Sequence, residues 1–255
     1  MTRKTKTPEI RRMEFVETAG ELFEAKGYEK TSVDDIVEKM GVAKGLFYYY
    51  FDSKEDVLGL LIDHLIGENA AVMEQIAARD DLDALGKFRQ LMMDAAALRA
   101  RSRRMTLFFH KESNRHLHAD IEARAVRLMT PALARIIEQG IREGVFNTSY
   151  PEETALAFFA LSSVLGHEVY QRPDERLFRR RVDAALYIIE RILGAAPGAF
   201  EFYRTQALKG PALRKWLRRI KQDAAKGGNE SGSGREERRG RACGRGKGKD
   251  KRAPR

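Results

Sequence analysis

Three consecutive tyrosines, Tyr48, Tyr49 and Tyr50, stand between two lysines, Lys44 and Lys54. A tyrosine hydroxyl can bond a phosphate oxygen while its ring packs against a sugar or a thymine methyl group. A lysine can reach a phosphate or the edge of a guanine. Neighbouring tyrosines on one short helix cannot all face inward. The segment therefore predicts a surface that contacts another molecule, and its side-chain chemistry suits DNA.

The residues around this segment predict a helix-turn-helix. A helix over residues 33–40 has apolar residues at three- and four-residue spacing, and a tight turn follows it. Thr31 or Ser32 caps the start of this helix, where side-chain and backbone groups can anchor a phosphate. Gly45 lets the start of the next helix approach a nucleic-acid backbone closely. Lys54, at the start of the fourth helix, fits a second phosphate contact, and the short helix before it is placed to enter a major groove.

Residues 9–58 resemble the DNA-binding domain of the TetR family of bacterial transcriptional regulators. The matching residues include Ala19, Leu22, Phe23, Lys26, Gly27, Tyr28, Thr31, Ser32, Ile36, Met40, Gly41, Val42, Lys44, Gly45, Phe47, Tyr48, Tyr49, Tyr50, Phe51, Ser53, Lys54 and Glu55. The resemblance implies that Lys44, Gly45, Leu46, Tyr48 and Tyr49 form the DNA-contacting face. Together with the physical arguments, the predicted DNA-binding residues are Thr31, Ser32, Lys44, Gly45, Leu46, Tyr48, Tyr49 and Lys54.

Two positions depart from the family pattern. Ala43 stands where the family often has a serine or threonine cap, a change that costs about 1 kcal/mol of helix stability. Leu46 stands where a small or hydroxylated residue is common, so the base preference of relatives does not transfer. Phe47 and Phe51 are predicted to pack inward, because full burial is the usual environment of phenylalanine.

The rest of the chain predicts further helices without strand alternation or hairpin turns. The predicted fold is all-α, with an N-terminal three-helix helix-turn-helix domain and a larger helical bundle for regulation and dimerisation. Pro131 either kinks one long helix or opens a second one. The predicted units are a DNA-binding domain (8–54), a ligand-binding and dimerisation domain (55–195), a linker with a basic amphipathic helix (196–226) and a disordered basic tail (227–255).

Two predicted helices, near 152–171 and 174–194, are apolar on nearly every side and therefore need cover on every side. A second copy of the chain can supply that cover, and the family resemblance implies a homodimer that binds two half-sites. The candidate interface residues are Leu156, Phe159, Val164, Leu186, Ile189 and Leu193.

The resemblance also implies a small-molecule effector that enters among the helices of residues 82–171. Its binding would move the helix that begins at Lys54 and change the spacing of the two DNA-contacting helices. The candidate lining residues are Met92, Met93, Met105, Phe108, Phe109, Met129, Phe158 and Phe159. These residue types also occur as ordinary core residues, so both interpretations stay open.

The charge is unevenly distributed along the chain. Residues 209–255 hold 17 lysines and arginines against 5 acidic residues, whereas the other 208 residues hold 30 against 32. The tail has three interpretations: non-specific DNA affinity, contact of Trp216 and its basic neighbours with a membrane surface, or a solvated extension without function. One cysteine, Cys243, excludes an intrachain disulfide. With no signal-peptide core and no long apolar run, a cytoplasmic location without membrane insertion is predicted.

Other kinds of site are not predicted. His110, Glu112, His116 and His118 are close in sequence, but their spacing does not place them on one helix face, so no metal site is expected. The chain has no phosphate-binding loop, nucleophile elbow or dinucleotide fingerprint, so neither an enzyme nor a cofactor is expected.

The sequence therefore predicts a ligand-responsive, sequence-specific DNA-binding transcriptional regulator. We expect a repressor that releases its operator when a small molecule binds, with double-stranded DNA and a second copy of the chain as partners. The alternatives are a nucleic-acid-compacting protein led by its tail and a regulator that acts through protein contacts without a small-molecule effector.

Overall fold

The computed structural model describes residues 7–101, 103–111, 114–171, 174–208, 214–215 and 217–222, and this part contains helices and turns but no strand. The helices are α1 (Pro8–Lys26), α2 (Val33–Met40), α3 (Lys44–Tyr50), α4 (Lys54–Ala77), α5 (Ala84–Arg101), α6 (Arg103–Phe109), α7 (Arg115–Arg142), α8 (Pro151–Gln171), α9 (Glu175–Leu193) and α10 (Glu201–Ala207). The all-α prediction is confirmed.

Local sequence signals fix where the first helices begin. Pro8 occupies the first turn of α1, where its missing N–H costs nothing. Ser32 rather than Thr31 caps α2, and its hydroxyl and backbone N–H exchange hydrogen bonds with Asp35. Ser53 starts α4 by the same capping-box arrangement. These caps fix the starts of α2 and α4 through residues only three positions apart.

A first hydrophobic core joins α1, α2, α3 and the N-terminal half of α4. Its fully buried members include Phe15, Phe23, Ile36 and Phe47. Met105 and Phe108, from α6, are also buried in this core. A helix that lies far along the sequence therefore completes the core of the N-terminal unit.

A second hydrophobic core lies among α5, α8, α9, α10 and the C-terminal half of α7. The Phe88 ring lies 5.5 Å from both the Phe146 and the Phe200 ring centroids, in edge-to-face contact. Gly140 allows this packing, because a side chain at that position would overlap the Phe146 ring. Most of these contacts join residues that are far apart in sequence.

Two helices, α4 and α7, take part in both cores. Asp63 pairs with Arg124 and Glu74 pairs with Arg135, and both pairs have a sequence separation of 61. The second pair lies eleven residues further along than the first on both helices. The two helices therefore run side by side in the same direction. Pro131 lies inside α7 and neither ends it nor starts a new helix.

The segment predicted as a linker is different in the structure. Phe200 is fully buried, and Phe202 and Tyr203 pack against the second core, so residues 199–208 complete the bundle. Apolar burial of these aromatics accounts for the difference. Further on, Leu217 and Ile220 are buried in a helical stretch, whereas Leu213, Trp216 and residues 227–255 lie outside the described residues.

Within the described part of the chain, none of the helices has the length and apolar character needed to cross a membrane.

Candidate nucleic-acid interface

One side of α3 is anchored in the first core. Phe47 and Phe51 lie one turn apart, and both are buried. Their ring centroids lie 5.7 Å and 6.0 Å from that of Phe15 on α1. The Tyr50 ring also contacts Phe15, with the ring centroids 6.0 Å apart. These contacts set the angle of α3, because rotation of the helix would expose two phenylalanines to water.

The opposite side of α3 faces outward. The side chains of Tyr48 and Tyr49 are 52% and 75% exposed, although large aromatic residues usually lose most of their surface on folding. The three neighbouring tyrosines therefore divide as the helical geometry requires, with Tyr50 partly inward and the other two outward. Each outward ring is supported by a neighbouring ring, Tyr48 by Phe47 at 5.4 Å and Tyr49 by Tyr50 at 4.9 Å, and still exposes a large part of its surface to solvent.

The start of α3 combines an open backbone with a positive charge. Gly45 is exposed, and a β-carbon placed on it would meet nothing within 4 Å, so packing inside the chain does not require glycine here. The Lys44 ammonium pairs with Asp34 of α2 at 2.8 Å, and the carboxylate raises the pKa of Lys44 above its ordinary value. Ala43 makes no side-chain capping bond. Leu46 is only half-exposed, because it packs partly against the first core.

The start of α2 places the two cap candidates differently. Thr31 is buried, and its hydroxyl donates to the Gly27 carbonyl at 2.8 Å, so its side chain does not reach the surface. Ser32 is exposed at the helix start. The ion pair with Lys26, at 2.5 Å, and the hydrogen bonds from Ser32 hold the pKa of Asp35 well below its usual range.

Lys54 is engaged within the chain. Its ammonium donates to the carbonyls of Tyr28 and Thr31, each at 2.9 Å, and lies 4.1 Å from the centre of the Tyr28 ring. A lysine bound in this way ties the start of α4 to the loop before α2. The predicted phosphate contact by Lys54 stays a prediction, and it would use the third N–H of the ammonium, because the two carbonyls occupy the other two.

Tyr28 connects three elements. Its hydroxyl donates to Glu55 on α4 at 2.7 Å, and its ring lies 4.9 Å from Phe108 on α6. Burial and the bond to Glu55 raise the pKa of Tyr28, and the same bond lowers the pKa of Glu55. The sequence analysis missed this role, because the partners lie 27 and 80 positions away in sequence.

The backbone of α6 is held by α1. The Glu24 carboxylate accepts from the N–H groups of Arg104 at 3.0 Å and Met105 at 3.3 Å, and the Arg104 guanidinium donates to the Ala25 carbonyl. Just after α6, Lys111 pairs with Glu29 at 2.7 Å. We call this set, with the ring contact of Tyr28 and Phe108, the α1–α6 contact.

The effector candidates divide between the two cores. Met105 and Phe108 are buried in the first core, and Phe109 packs against it. Met92 is buried in the second core, and Phe158 and Phe159 pack against it. Met93 is exposed, and Met129 is partly buried. The structure thus does not bring the eight side chains together in one place.

The dimer candidates divide between surface and interior. Leu156 and Val164 of α8 are exposed, and Phe159 is partly buried. Leu186, Ile189 and Leu193 of α9 are buried in the second core of the same chain, so they are not available to a partner surface. The exposed apolar side chains of α9 are instead Tyr187 and Ile188. Tyr187 and Ile188 lie between the buried Leu186 and Ile189 in sequence, so the rotation of α9 about its axis decides which residues are exposed.

The histidine-rich segment gives no ligand cluster among the described residues. The rings of His110 and His118 meet with centroids 4.6 Å apart, and His118 lies 3.8 Å from Glu122. Glu112 and the side chain of His116 lie outside the described residues.

Comparisons with known proteins agree with this geometry. Residues 15–61 match the family model described as "Bacterial regulatory proteins, tetR family". Residues 100–183 match the model described as "Tetracyclin repressor-like, C-terminal domain". The first match covers the helix-turn-helix, and the second covers α6 to α8 and part of α9.

Individual relatives extend the similarity. The probable HTH-type transcriptional regulator ArpR of Pseudomonas putida is 27% identical over 172 residues, which cover 63% of this chain and 80% of ArpR. The regulator EthR of Mycolicibacterium smegmatis is 49% identical over 49 residues, or 19% of this chain and 23% of EthR. A TetR-family transcriptional regulator of Pectobacterium atrosepticum has a solved structure with a TM-score of 0.60 and 19% identity, covering 74% of this chain and 98% of that one.

Proposed function

Since the chain belongs to the TetR family of bacterial transcriptional regulators, we propose that it is a repressor whose hold on DNA is released by a small molecule. It is a helix-turn-helix DNA-binding regulator and not an enzyme. The proposal concerns the residues that contact DNA, the assembly and the release. Among the predicted DNA-binding residues, it keeps Ser32, Lys44, Gly45, Tyr48 and Tyr49, with Leu46 and Lys54 as secondary contacts.

The outward face of α3 carries the DNA-contact proposal. Tyr48 and Tyr49 are exposed beside Lys44, while the buried phenylalanines fix the helix from the other side. An exposed aromatic pair on a short, rigid helix costs little ordering entropy when it enters a groove. Thr31 has no direct contact in this proposal, because its buried hydroxyl is bound to Gly27.

The test of DNA binding is a mobility-shift assay on the DNA upstream of the gene that encodes the chain, with sequences selected from a random pool as a second probe. We expect a discrete, sequence-dependent complex that survives added competitor DNA. A Tyr48→Ala, Tyr49→Ala double variant should lose at least about tenfold in affinity, the effect of one or two good contacts at a base edge or phosphate. Smeared complexes that disappear only when residues 209–255 are removed would instead favour a compacting protein led by its tail.

A symmetric dimer is proposed through the outer faces of α8 and α9. Val164 is 68% exposed, and Leu156, Tyr187 and Ile188 are exposed as well. Exposed apolar side chains on adjacent helices favour association, and two-fold dimers match half-sites spaced by about one DNA turn.

The assembly is testable with one charge. Val164→Glu should shift the chain from dimer to monomer in sedimentation analysis and weaken operator binding. Leu128→Glu on α7 is the matched control, because Leu128 is also exposed and apolar but lies on another helix. Equal dimer stability in both variants would contradict the proposed interface.

The release of DNA is proposed to pass through α5 and α6. Met92 of α5 lies in the second core, whereas Met105 and Phe108 of α6 lie in the first. A ligand that displaced α5 would therefore pull on the α1–α6 contact, and through Tyr28 on the start of α4. Only a ligand with different affinities for the two arrangements can drive this change.

A panel of aromatic and apolar small molecules, scored by thermal shift and by operator affinity, tests the release. We expect at least one compound that stabilises the chain and weakens operator binding. In Glu24→Gln, the same compound should bind equally well but release less DNA, because the variant weakens the bonds from Glu24 to α6. If none of these compounds changes operator affinity, the proposed release by aromatic or apolar small molecules is contradicted.

A further inference from the structure

The DNA-binding unit is acidic. Between residues 7 and 58 the chain has seven lysines and arginines but twelve aspartates and glutamates. DNA is a dense polyanion, and most non-specific affinity comes from lysines and arginines that replace its counterions. A unit with this charge gains little from general attraction, so its affinity depends on a few positions where a cation reaches the DNA.

The cations of this unit have partners within the chain. Lys26 pairs with Asp35 at 2.5 Å, and Lys39 pairs with Glu21 at 2.6 Å. Lys54 donates to two backbone carbonyls. A phosphate must therefore share each of these ammonium groups with a carboxylate or carbonyl that is already in place.

One of these pairs lies at the DNA-contacting surface itself. Lys44, the first residue of α3, has its ammonium 2.8 Å from Asp34 in the first turn of α2, and the two side chains are 50% and 69% exposed. The pair bridges the two helices of the helix-turn-helix, beside the exposed Tyr48 and Tyr49. In this motif the first helix crosses the DNA backbone, so Asp34 lies on the side that approaches phosphates.

We propose that Asp34 is a specificity-determining residue: it holds Lys44 in an ion pair that base contacts open and random phosphate contacts do not. The proposal rests on the proposed function, in which Lys44 contacts DNA. If Lys44 left Asp34 for a phosphate, a carboxylate would remain unpaired beside a polyanion. A guanine edge offers two acceptors inside the groove, which add hydrogen bonds with sequence information. Because exposed ion pairs are weak, the pair can open for this gain.

The experiment compares Asp34→Asn with wild type in the full-length chain. The probes are a duplex carrying the sequence that wild type selects from a random pool and a duplex of equal length without it, each titrated with potassium chloride. In Asp34→Asn, affinity for the non-specific duplex should rise about fivefold to tenfold near 0.1 M salt, the effect of one added phosphate contact. The salt slope should steepen by about one for each α3 that touches DNA. Affinity for the selected duplex should change less, so the ratio of the two affinities falls.

Two controls isolate the pair. Glu38→Gln removes one negative charge from the same helix at an exposed position, and it should leave the salt slope unchanged. In a Lys44→Ala background, Asp34→Asn should have no further effect on non-specific binding, because the cation that it frees is gone. Thermal melting of each variant checks that the fold is intact.

The outcomes separate this inference from the proposed function. If wild type selects no sequence from the pool, the proposed function fails. If wild type selects a sequence and Asp34→Asn retains its salt slope and its affinity ratio, the role of Asp34 is overturned while the function stands. A changed preference at one base pair with unaltered non-specific binding would also overturn it, since Asp34 would then contact a base directly.

Discussion

The two hydrophobic cores are built by different means. The first core lies among helices whose starts are fixed by nearby residues, as in the capping boxes of Ser32 and Ser53. The second core depends on contacts between distant residues: the Ala84 N–H donates to the Glu143 carboxylate 59 positions away, and the Asn147 N–H donates to the Leu193 carbonyl.

This difference matches the demands on the two regions. A surface that contacts DNA needs one fixed angle of α3, and local caps with Phe15 packing supply it. The second core also has local caps, such as Asp174 at the start of α9, but its shape is decided by how long helices fit together. We therefore expect changes in the first core to alter DNA binding directly and changes in the second to alter stability first.

The strongest test deletes one buried ring from each core. Phe15 and Phe88 are both almost completely buried, so Phe15→Ala and Phe88→Ala should each lower the free energy of unfolding by about 3–5 kcal/mol. Only Phe15→Ala removes the support of α3, so it should also weaken DNA binding at temperatures where both variants remain folded. Urea denaturation and mobility-shift assays measure the two effects. If both variants lose the same DNA affinity at equal stability, the first core has no special role in supporting α3.

The next test concerns the glycines at helix contacts. A methyl group at Gly140 would overlap the Phe146 ring, whereas one at Gly20 would lie 3.2 Å from a Leu61 methyl group that can move. Gly140→Ala should cost about 1–3 kcal/mol or more by overpacking. Gly20→Ala should be close to neutral, since improved helix propensity offsets the tighter contact. Differential scanning calorimetry of both variants gives the comparison, and a larger loss of stability at Gly20 than at Gly140 would contradict this prediction.

A smaller effect is expected at Gly45. A β-carbon there meets nothing within 4 Å, and the same holds for Gly67 in α4. Both alanine variants should stabilise the chain, by up to about 1 kcal/mol at a helix-interior position and less in a first turn. Only Gly45→Ala should weaken operator binding, because the added methyl group would separate α3 from the DNA backbone. If it binds DNA as well as Gly67→Ala does, close approach at Gly45 is not needed.

The smallest effect concerns pH. The bonds of Asp35 to Lys26 and Ser32 hold its pKa below the ordinary value of 3.8. The stability that it contributes is therefore present above about pH 4 and is lost as the pH falls through the lowered value. Urea unfolding at pH 5 and pH 3 should show a smaller pH dependence for Asp35→Asn than for wild type. Glu38→Gln, which leaves the capping box intact, should follow wild type.

The first core and its surface were largely predictable from sequence. The spacing of Phe47 and Phe51 predicts one inward face of α3, and consecutive tyrosines require an outward one, which is what the structure has. Such patterns are readable because a helix repeats every three to four residues. The position of Thr31 was harder, since either of two adjacent hydroxyls can cap a helix and only the fold shows that Thr31 turns to Gly27.

The second core was predictable in helix content but not in packing. Leu186 and Tyr187 are adjacent on a helix that is apolar on most sides, and the sequence does not tell which of them faces inward. The role of Glu24 was not predictable either, because its partner in α6 lies 80 positions away in sequence. Relations of this kind arise from tertiary contacts, so no local pattern reports them.

Because α4 and α6 both supply residues to the first core, the N-terminal helices cannot be joined freely to another regulator. A chimera cut after residue 54 would take α1 to α3 away from Val57, Leu61 and Ile62, and it would also leave Met105 and Phe108 behind. The transferred helices α1 to α3 would then expose the apolar residues of the first core to solvent. Exchange of sequence preference between such regulators should therefore succeed by grafting the outward side chains of α3, and fail by joining whole N-terminal segments.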